Sequence, residues 1–260
     1  MSGRRKDARI KPNTKGCCRA IMNWLIPFEG ETIELDDVIE HAQTGDLLLW
    51  RANTGWWTEF WTASPFSHVS MVYRNPETQK VYQWQSTTDA EEEDLLTGEM
   101  NRKGTQLMEL RQSIIHYAEK FGDLIAWRPL VYWDEYEAQY TRDIPHDALS
   151  HINETLVREM HHMKGYGFQH DPRDMTGGMW FNLYYCCFPL GRKADFDSRI
   201  FCAPLVAHAL QRAGVLQDGM PIQNYSPSHF DYSTSRLVFT EHWGFGDSYR
   251  ITFAKSRKKD

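Results

Sequence analysis

The chain has 260 residues, 41% of them hydrophobic, 25% charged and 13% aromatic, with a formal net charge of −6. That length fits one large domain or two small ones of ordinary globular composition, and the acidic balance excludes nucleic acid as the main partner. No run approaches the roughly 18 apolar residues of a membrane-spanning helix. The five cysteines fall as two vicinal pairs, Cys17-Cys18 and Cys186-Cys187, plus Cys202. An odd count with no recognisable secretion signal points to a cytoplasmic or other reducing compartment rather than a disulfide framework.

In chain order, the first nineteen residues set Arg4, Arg5, Lys6, Arg9, Lys11, Lys15 and Arg19 against a single acid, Asp7. On a helix over 16–28, Cys17, Cys18, Ile21, Trp24, Leu25 and Phe28 share one face. Two readings of residues 1–28 stand. One is a peripheral membrane anchor with its cysteines open to acylation, and the other is a terminal helix docked on its own domain behind a basic tail. The sequence then predicts a short acidic helix within 29–43 and a turn at Gly45-Asp46. A buried strand follows over Leu47–Trp50. Residues 51–67 are loop-like and carry Trp56, Trp57, Phe60, Trp61 and Phe66, either as an exposed aromatic rim or as core.

Two alternating strands come next, His68–Tyr73 and Lys80–Gln85, with Asn75-Pro76-Glu77-Thr78 between them as a turn. A hairpin symmetric about Pro76-Glu77 pairs Val72 with Val81, Met71 with Tyr82, Val69 with Trp84 and His68 with Gln85. Opposed Cβ atoms lie roughly 4.5–5.5 Å apart, so the Gln85 amide can reach the imidazole. Gln83 then lies opposite Ser70, one pair deeper. Asp89–Asp94 reads as a solvated acidic loop. His146–Met163 has Leu149, Ile152, Leu156, Met160 and Met163 at helical spacing and reads as a core helix. Residues 177–191 are apolar and glycine-bounded, fit to line a substrate pocket or the core. His161-His162 and Cys186-Cys187 invite a zinc reading, but immediate neighbours do not converge on one tetrahedral site, so no metal and no cofactor is expected.

The stretch Asp197–Gly214 carries the sharpest signal. From Cys202 onward, Leu205, Val206, Ala209, Leu210 and Ala213 form one apolar helical stripe. Pro204 is tolerable only in a first turn, so the helix begins near Cys202, and Gly214 stands where a left-handed cap is wanted. A thiol at the positive end of a helix is favoured as thiolate, which predicts a depressed pKa, whereas the bland alternative is a small buried core cysteine. His208 lies on another side of that helix and reads as structural. A last strand is predicted over Tyr249–Phe253.

The segments TGDLLLWRA, PFSHVSMVYR, KVYQWQST, GTQLMELRQ, DLIAWRPL and FCAPLVAHALQRAGVL, in this order over residues 43–216, resemble the circularly permuted NlpC-like branch of the papain-like proteins. That branch includes the YiiX/YaeF-like proteins and viral relatives and is more distantly similar to lecithin–retinol acyltransferase. The resemblance implies an α+β domain over 29–253, with an antiparallel sheet packed on the nucleophile-bearing helix and a basic tail at 254–260. It further implies Cys202 as nucleophile, His68 as base and Gln85 in the third polar position, where many members carry a carboxylate. Tyr166, following Lys164-Gly165, is the substrate-contact candidate, since an aromatic there often lines the papain-like cleft. The implied activity is that of a cysteine hydrolase (peptidase, amidase or thioesterase) or acyltransferase on an amide-, ester- or lipid-type substrate. The rival expectation is an inactive binding or membrane-scaffold protein that keeps the fold.

Overall fold

Side chains that alternate along a strand give the centre of this fold a sheet with two different faces, each closed by helices. The computed structural model describes residues 30–51, 66–88, 91–100, 102–121, 124–168, 199–231 and 237–253. Its first half runs β1 (Thr32–Glu34), α1 (Leu35–His41), β2 (Leu47–Trp50), β3 (His68–Arg74), β4 (Val81–Thr87), β5 (Glu93–Asp94), β6 (Glu99–Met100) and β7 (Gly104–Glu109). Then come α2 (Leu110–Phe121), β8 (Ile125–Arg128), β9 (Leu130–Asp134), β10 (Gln139–Thr141), α3 (His146–His162) and β11 (Gly167–Phe168). The chain closes with β12 (Arg199–Ile200), α4 (Cys202–Arg212), α5 (Pro227–Phe230), β13 (Trp243–Phe245) and β14 (Tyr249–Thr252). The main sheet has the order β1-β14-β8-β2-β3-β4-β7-β11-β12. It is antiparallel through its middle and parallel at its two ends, where β1 joins β14 and β11 joins β12. The fold is α+β, as the sequence indicates.

Period two sorts the core. Leu47, Leu49, Val69, Met71, Tyr73 and Trp84 point to one face, against Ile152, Leu156 and Met160 of α3 and Leu205, Val206 and Leu210 of α4. Leu48, Trp50, Val72 and Val81 point to the other, against Leu35 and Val38 of α1 and Leu110, Ile114 and Tyr117 of α2. The sheet is therefore covered on both sides, and the cysteine-bearing helix closes one of them. Each fully buried side chain of Leu205, Val206 and Leu210 contributes about 1.5–3 kcal/mol, so the apolar stripe alone is enough to hold α4 in place.

α4 begins at Cys202 for a local reason. Leu205 N–H bonds the Phe201 carbonyl at 3.1 Å, and Pro204 sits in the first turn, where no backbone donor is needed. The helix stops at Gly214, whose φ of +70° is the left-handed cap, with Val215 N–H on the Leu210 carbonyl at 2.9 Å. The Gly45-Asp46 turn is pinned by a wholly buried carboxylate. Asp46 accepts from the Leu130 and Gln43 backbones, from Trp127 Nε1 at 2.9 Å and from both Arg142 terminal nitrogens at 2.5 and 3.0 Å.

Four expectations need correction. The β3–β4 register is Met71–Trp84, Val72–Gln83, Tyr73–Tyr82 and Arg74–Val81, two residues away from the symmetric one. The Asn75 side chain is the cause: its Oδ1 takes the N–H groups of Glu77 and Thr78, both at 2.9 Å, and Gln79 turns through a φ of +58°, which moves the turn onward. The acidic helix is confined to Leu35–His41, because Thr32–Glu34 instead form the edge strand on β14. Asp94 is buried rather than solvated, its carboxylate accepting from Leu96 N–H, Thr97 Oγ1 and Leu107 N–H. The fourth, the thiol pKa, belongs to the site. Phe66 is core. The proposed segment 1–28, the aromatics Trp56, Trp57, Phe60 and Trp61, the run 177–191 and the tail 254–260 lie outside the described residues.

Candidate active site

His68 is the first residue of β3 and Gln85 the fifth of β4, and both are buried. His68 Nε2 and Gln85 Oε1 are 2.7 Å apart. The bond survives the register shift because a two-residue slip keeps every side chain on its face. Continuing the observed register sets Gln85 opposite Ser70, and its long side chain reaches His68 on the diagonal. An amide oxygen only accepts, so Nε2 carries the proton and Nδ1 is the basic nitrogen of the neutral ring.

The amide is oriented by its own neighbours. Gln85 Nε2 donates to the Met108 sulfur at 3.2 Å, and thioether sulfur cannot donate in return. Gln83 Nε2 donates to Gln85 Oε1 at 2.8 Å and to Ser70 Oγ at 2.9 Å, while Ser113 Oγ on α2 donates to Gln83 Oε1 at 2.6 Å. Trp50 Nε1 completes the chain on Ser70 Oγ at 2.8 Å. Around the imidazole, the Tyr117 ring stacks at 6.4 Å between centroids and Trp50 lies at 6.5 Å. The imidazole thus belongs to the layer between the sheet and α2.

Cys202 reaches the same strand from the opposite helical layer. Its thiol is hydrogen-bonded by the backbone of Val69, the residue after His68, and by the backbone of Ala203 and of Cys202 itself. Phe201 gives the helix no side-chain cap and Pro204 has no N–H, so the sulfur occupies the place of a cap for the first-turn donors. Ser86 Oγ donates to the Ile200 carbonyl at 2.6 Å, fastening β4 to the segment that delivers Cys202. Burial nevertheless outweighs these backbone bonds and pushes the Cys202 thiol above its ordinary value. This corrects the expectation of a depressed pKa: the helix terminus favours the thiolate, but loss of water disfavours it more.

Against α4, Glu159 of α3 is a buried carboxylate 3.0 Å from His208 Nε2 and 3.4 Å from Arg212 Nε. Burial acts to raise the Glu159 pKa, yet bonds and charge from His208 and Arg212 lower it overall. His208 thus ties α4 to α3, the structural role expected of it. Tyr166 packs on the same core as Cys202. Its ring is 6.1 Å from His162, and its carbonyl takes the Thr105 N–H at 2.9 Å. That carbonyl would stand 2.0 Å from a Cβ at position 104, whose φ of +134° also favours glycine. The expected His68–Gln85 pairing is present, whereas sequence reading gave no supporting role to Gln83, Ser113, Trp50 or Met108. The periodicity of Leu110, Ile114 and Tyr117 was the signal that would have placed Ser113 on an inward-facing helix.

No family model matches the chain, and no curated protein matches it. Among solved structures, the YiiX metalloprotein of Escherichia coli O157:H7 is a distant structural neighbour, 14% identical with a TM-score of 0.36. The match covers 78% of this chain and 98% of that one.

Proposed function

We propose that the chain is a circularly permuted papain-like domain of the NlpC type and acts as a thiol-dependent hydrolase or acyltransferase, with Cys202 as nucleophile, His68 as base and Gln85 as the residue that orients the base. The observation that carries this reading is the 2.7 Å bond between His68 Nε2 and Gln85 Oε1 at one residue's remove along β3 from Val69, whose backbone holds the helix-start thiol. The order of strand histidine, a polar residue on the next strand and then helix cysteine is that of the permuted family it resembles, with glutamine where many members carry a carboxylate. Because burial keeps the resting thiol protonated, deprotonation has to accompany attack. In this reading Nδ1 of His68, the first residue of β3, takes the sulfur's proton as Sγ bonds the carbonyl carbon of an amide, ester or thioester. That transfer requires thiol and imidazole to meet around the end of the strand. The first-turn N–H groups of Cys202 and Ala203 are the donors suited to the oxyanion. Collapse of the tetrahedral species breaks the bond to the leaving group, which receives the proton from the imidazolium and leaves an acyl-enzyme. Water then completes a hydrolase cycle, and an alcohol or amine an acyltransferase cycle.

The raised thiol pKa favours one rival, an inactive papain-fold binding or membrane-scaffold protein with an inert core cysteine. A thiol-reactive acyl probe separates the two. Labelling at Cys202 near neutral pH that disappears in Cys202→Ala and falls sharply in His68→Ala supports the enzyme. Labelling unchanged by His68→Ala, or absent from Cys202, overturns it. In the same reading, residues 1–28 hold the domain at an anionic membrane surface.

A further inference from the structure

The polar chain behind His68 is more extensive than orientation by one glutamine requires. Gln83 is wholly buried, Ser113 and Gln85 nearly so, and the three belong to β4 and α2, which approach each other only in the folded protein. Buried amides are costly unless each group finds a partner, and here the partners also impose a direction. The Met108 sulfur can only accept, so it takes the Gln85 nitrogen; the Gln83 nitrogen then faces Gln85 while Ser113 Oγ donates to the Gln83 oxygen. That nitrogen can only donate, so the Gln85 oxygen must face it, and the same oxygen then receives the imidazole proton. If the Gln85 amide were reversed with Gln83 unchanged, its nitrogen would face the Gln83 nitrogen, donor to donor, and its oxygen would face the Met108 sulfur, acceptor to acceptor. It would also donate to Nε2 and send the imidazole proton to Nδ1, the nitrogen required as base.

We infer that Gln83, held by Ser113, is a positioning residue that selects the Nε2–H tautomer of His68 by fixing which way the Gln85 amide points. The catalytic use of that tautomer rests on the Cys202–His68 reading above, but the tautomer itself is a property of the resting protein. Tautomer selection is therefore tested without turnover, by nitrogen-15 NMR of the full chain, with the His68 ring assigned by loss of its signals in His68→Ala. The wild-type ring should show a protonated Nε2 and an unprotonated Nδ1. In Gln83→Met, which keeps bulk but removes the donor, the two nitrogen shifts should move toward each other as both tautomers become populated. Ser113→Ala should move them the same way by a smaller amount, and it covers the case in which Gln83→Met does not fold. Acyl-probe labelling of Cys202 should also slow, roughly two- to tenfold, the range of one ordinary hydrogen bond. A wild-type Nδ1–H ring, or a ring unmoved by both substitutions, overturns the inference. An unlabelled Cys202 with the expected NMR response would instead sink the enzyme reading and leave tautomer selection standing.

Discussion

Replacing Gln85 by Glu is the most informative single change, because it keeps shape and the acceptor oxygen, adds charge and gives up only the donation to the Met108 sulfur. The Gln85 oxygen takes the Nε2–H of His68 at 2.7 Å in a buried setting. A carboxylate there makes the same bond charge-assisted. Bonds to charged groups are worth about 1.5–3 kcal/mol against about 0.5–1.5 for neutral ones, so the imidazolium gains roughly 1–1.5 kcal/mol. At about 1.4 kcal/mol per pH unit, the protonated ring should persist about one unit higher in the variant. In the proposed reaction His68 serves as base only when neutral. The acid limb of the rate of Cys202 acylation should therefore move to higher pH by about one unit, with activity retained above it. The linkage has the matching sign. A histidine whose folded pKa rises lends stability below its unfolded pKa and loses it as pH climbs through the folded value, so the variant should weaken on the alkaline side relative to its acid side. The assay is the second-order labelling rate over roughly pH 5 to 9, the range in which histidine titrates, alongside urea melts at both ends. An acid limb that stays put, or moves down, would refute the His68–Gln85 pairing as a functional unit.

Four other outcomes follow from the same structure. Burial holds the Cys202 thiol above its usual pKa, so its stabilising contribution is present below the unfolded thiol's pKa and fades as pH rises toward the folded value; Cys202→Ala should flatten the stability profile on the alkaline side, read by urea melts. Asp46→Ala strands the buried donors of Trp127 and Leu130 and leaves Arg142 without its carboxylate, with only the Leu130 and His41 carbonyls, so it should cost about 3–5 kcal/mol; a loss below about 1 kcal/mol would contradict the turn's role. Trp84 Nε1 is buried with no hydrogen-bond partner among the described residues, so Trp84→Phe should cost less than the roughly 3–5 kcal/mol typical of deleting a core aromatic, judged by the urea midpoint. Full-length protein should co-sediment with anionic liposomes more than a chain lacking residues 1–28, and equal binding by both would remove the anchor from the proposal.

Periodicity made α4 and the faces of β3 and β4 legible. The helical stripe from Leu205 to Ala213 and the alternation of His68, Ser70 and Val72 each have a single geometric solution. The hairpin register was not legible in the same way, because it turns on one side chain: Asn75 captures two backbone donors and relocates the bend. The His68–Gln85 bond was recoverable despite that error, since the slip was even. The thiol pKa was out of reach for a different reason. The helix terminus can be read in the chain, but how far α3 and α4 seal the sulfur from water depends on packing across elements distant in sequence. Ser113 shares that cause, having no visible purpose until α2 folds over β4.

The Ser86–Ile200 bond sets the order in which this molecule can be assembled. It joins residues 114 apart in the chain, whereas His68 and Gln85 are only 17 apart. Closing the longer loop costs more chain entropy and must wait for the sheet that receives it, so the hairpin can form early while the segment leading into Cys202 docks late. The expected order is that the imidazole and its glutamine assemble before the sulfur arrives. A ribosome-bound chain that stops short of α4 carries the whole orienting apparatus and no nucleophile. Weakening the clasp with Ser86→Ala should therefore speed unfolding more than it slows folding, as expected for a contact absent from the transition state.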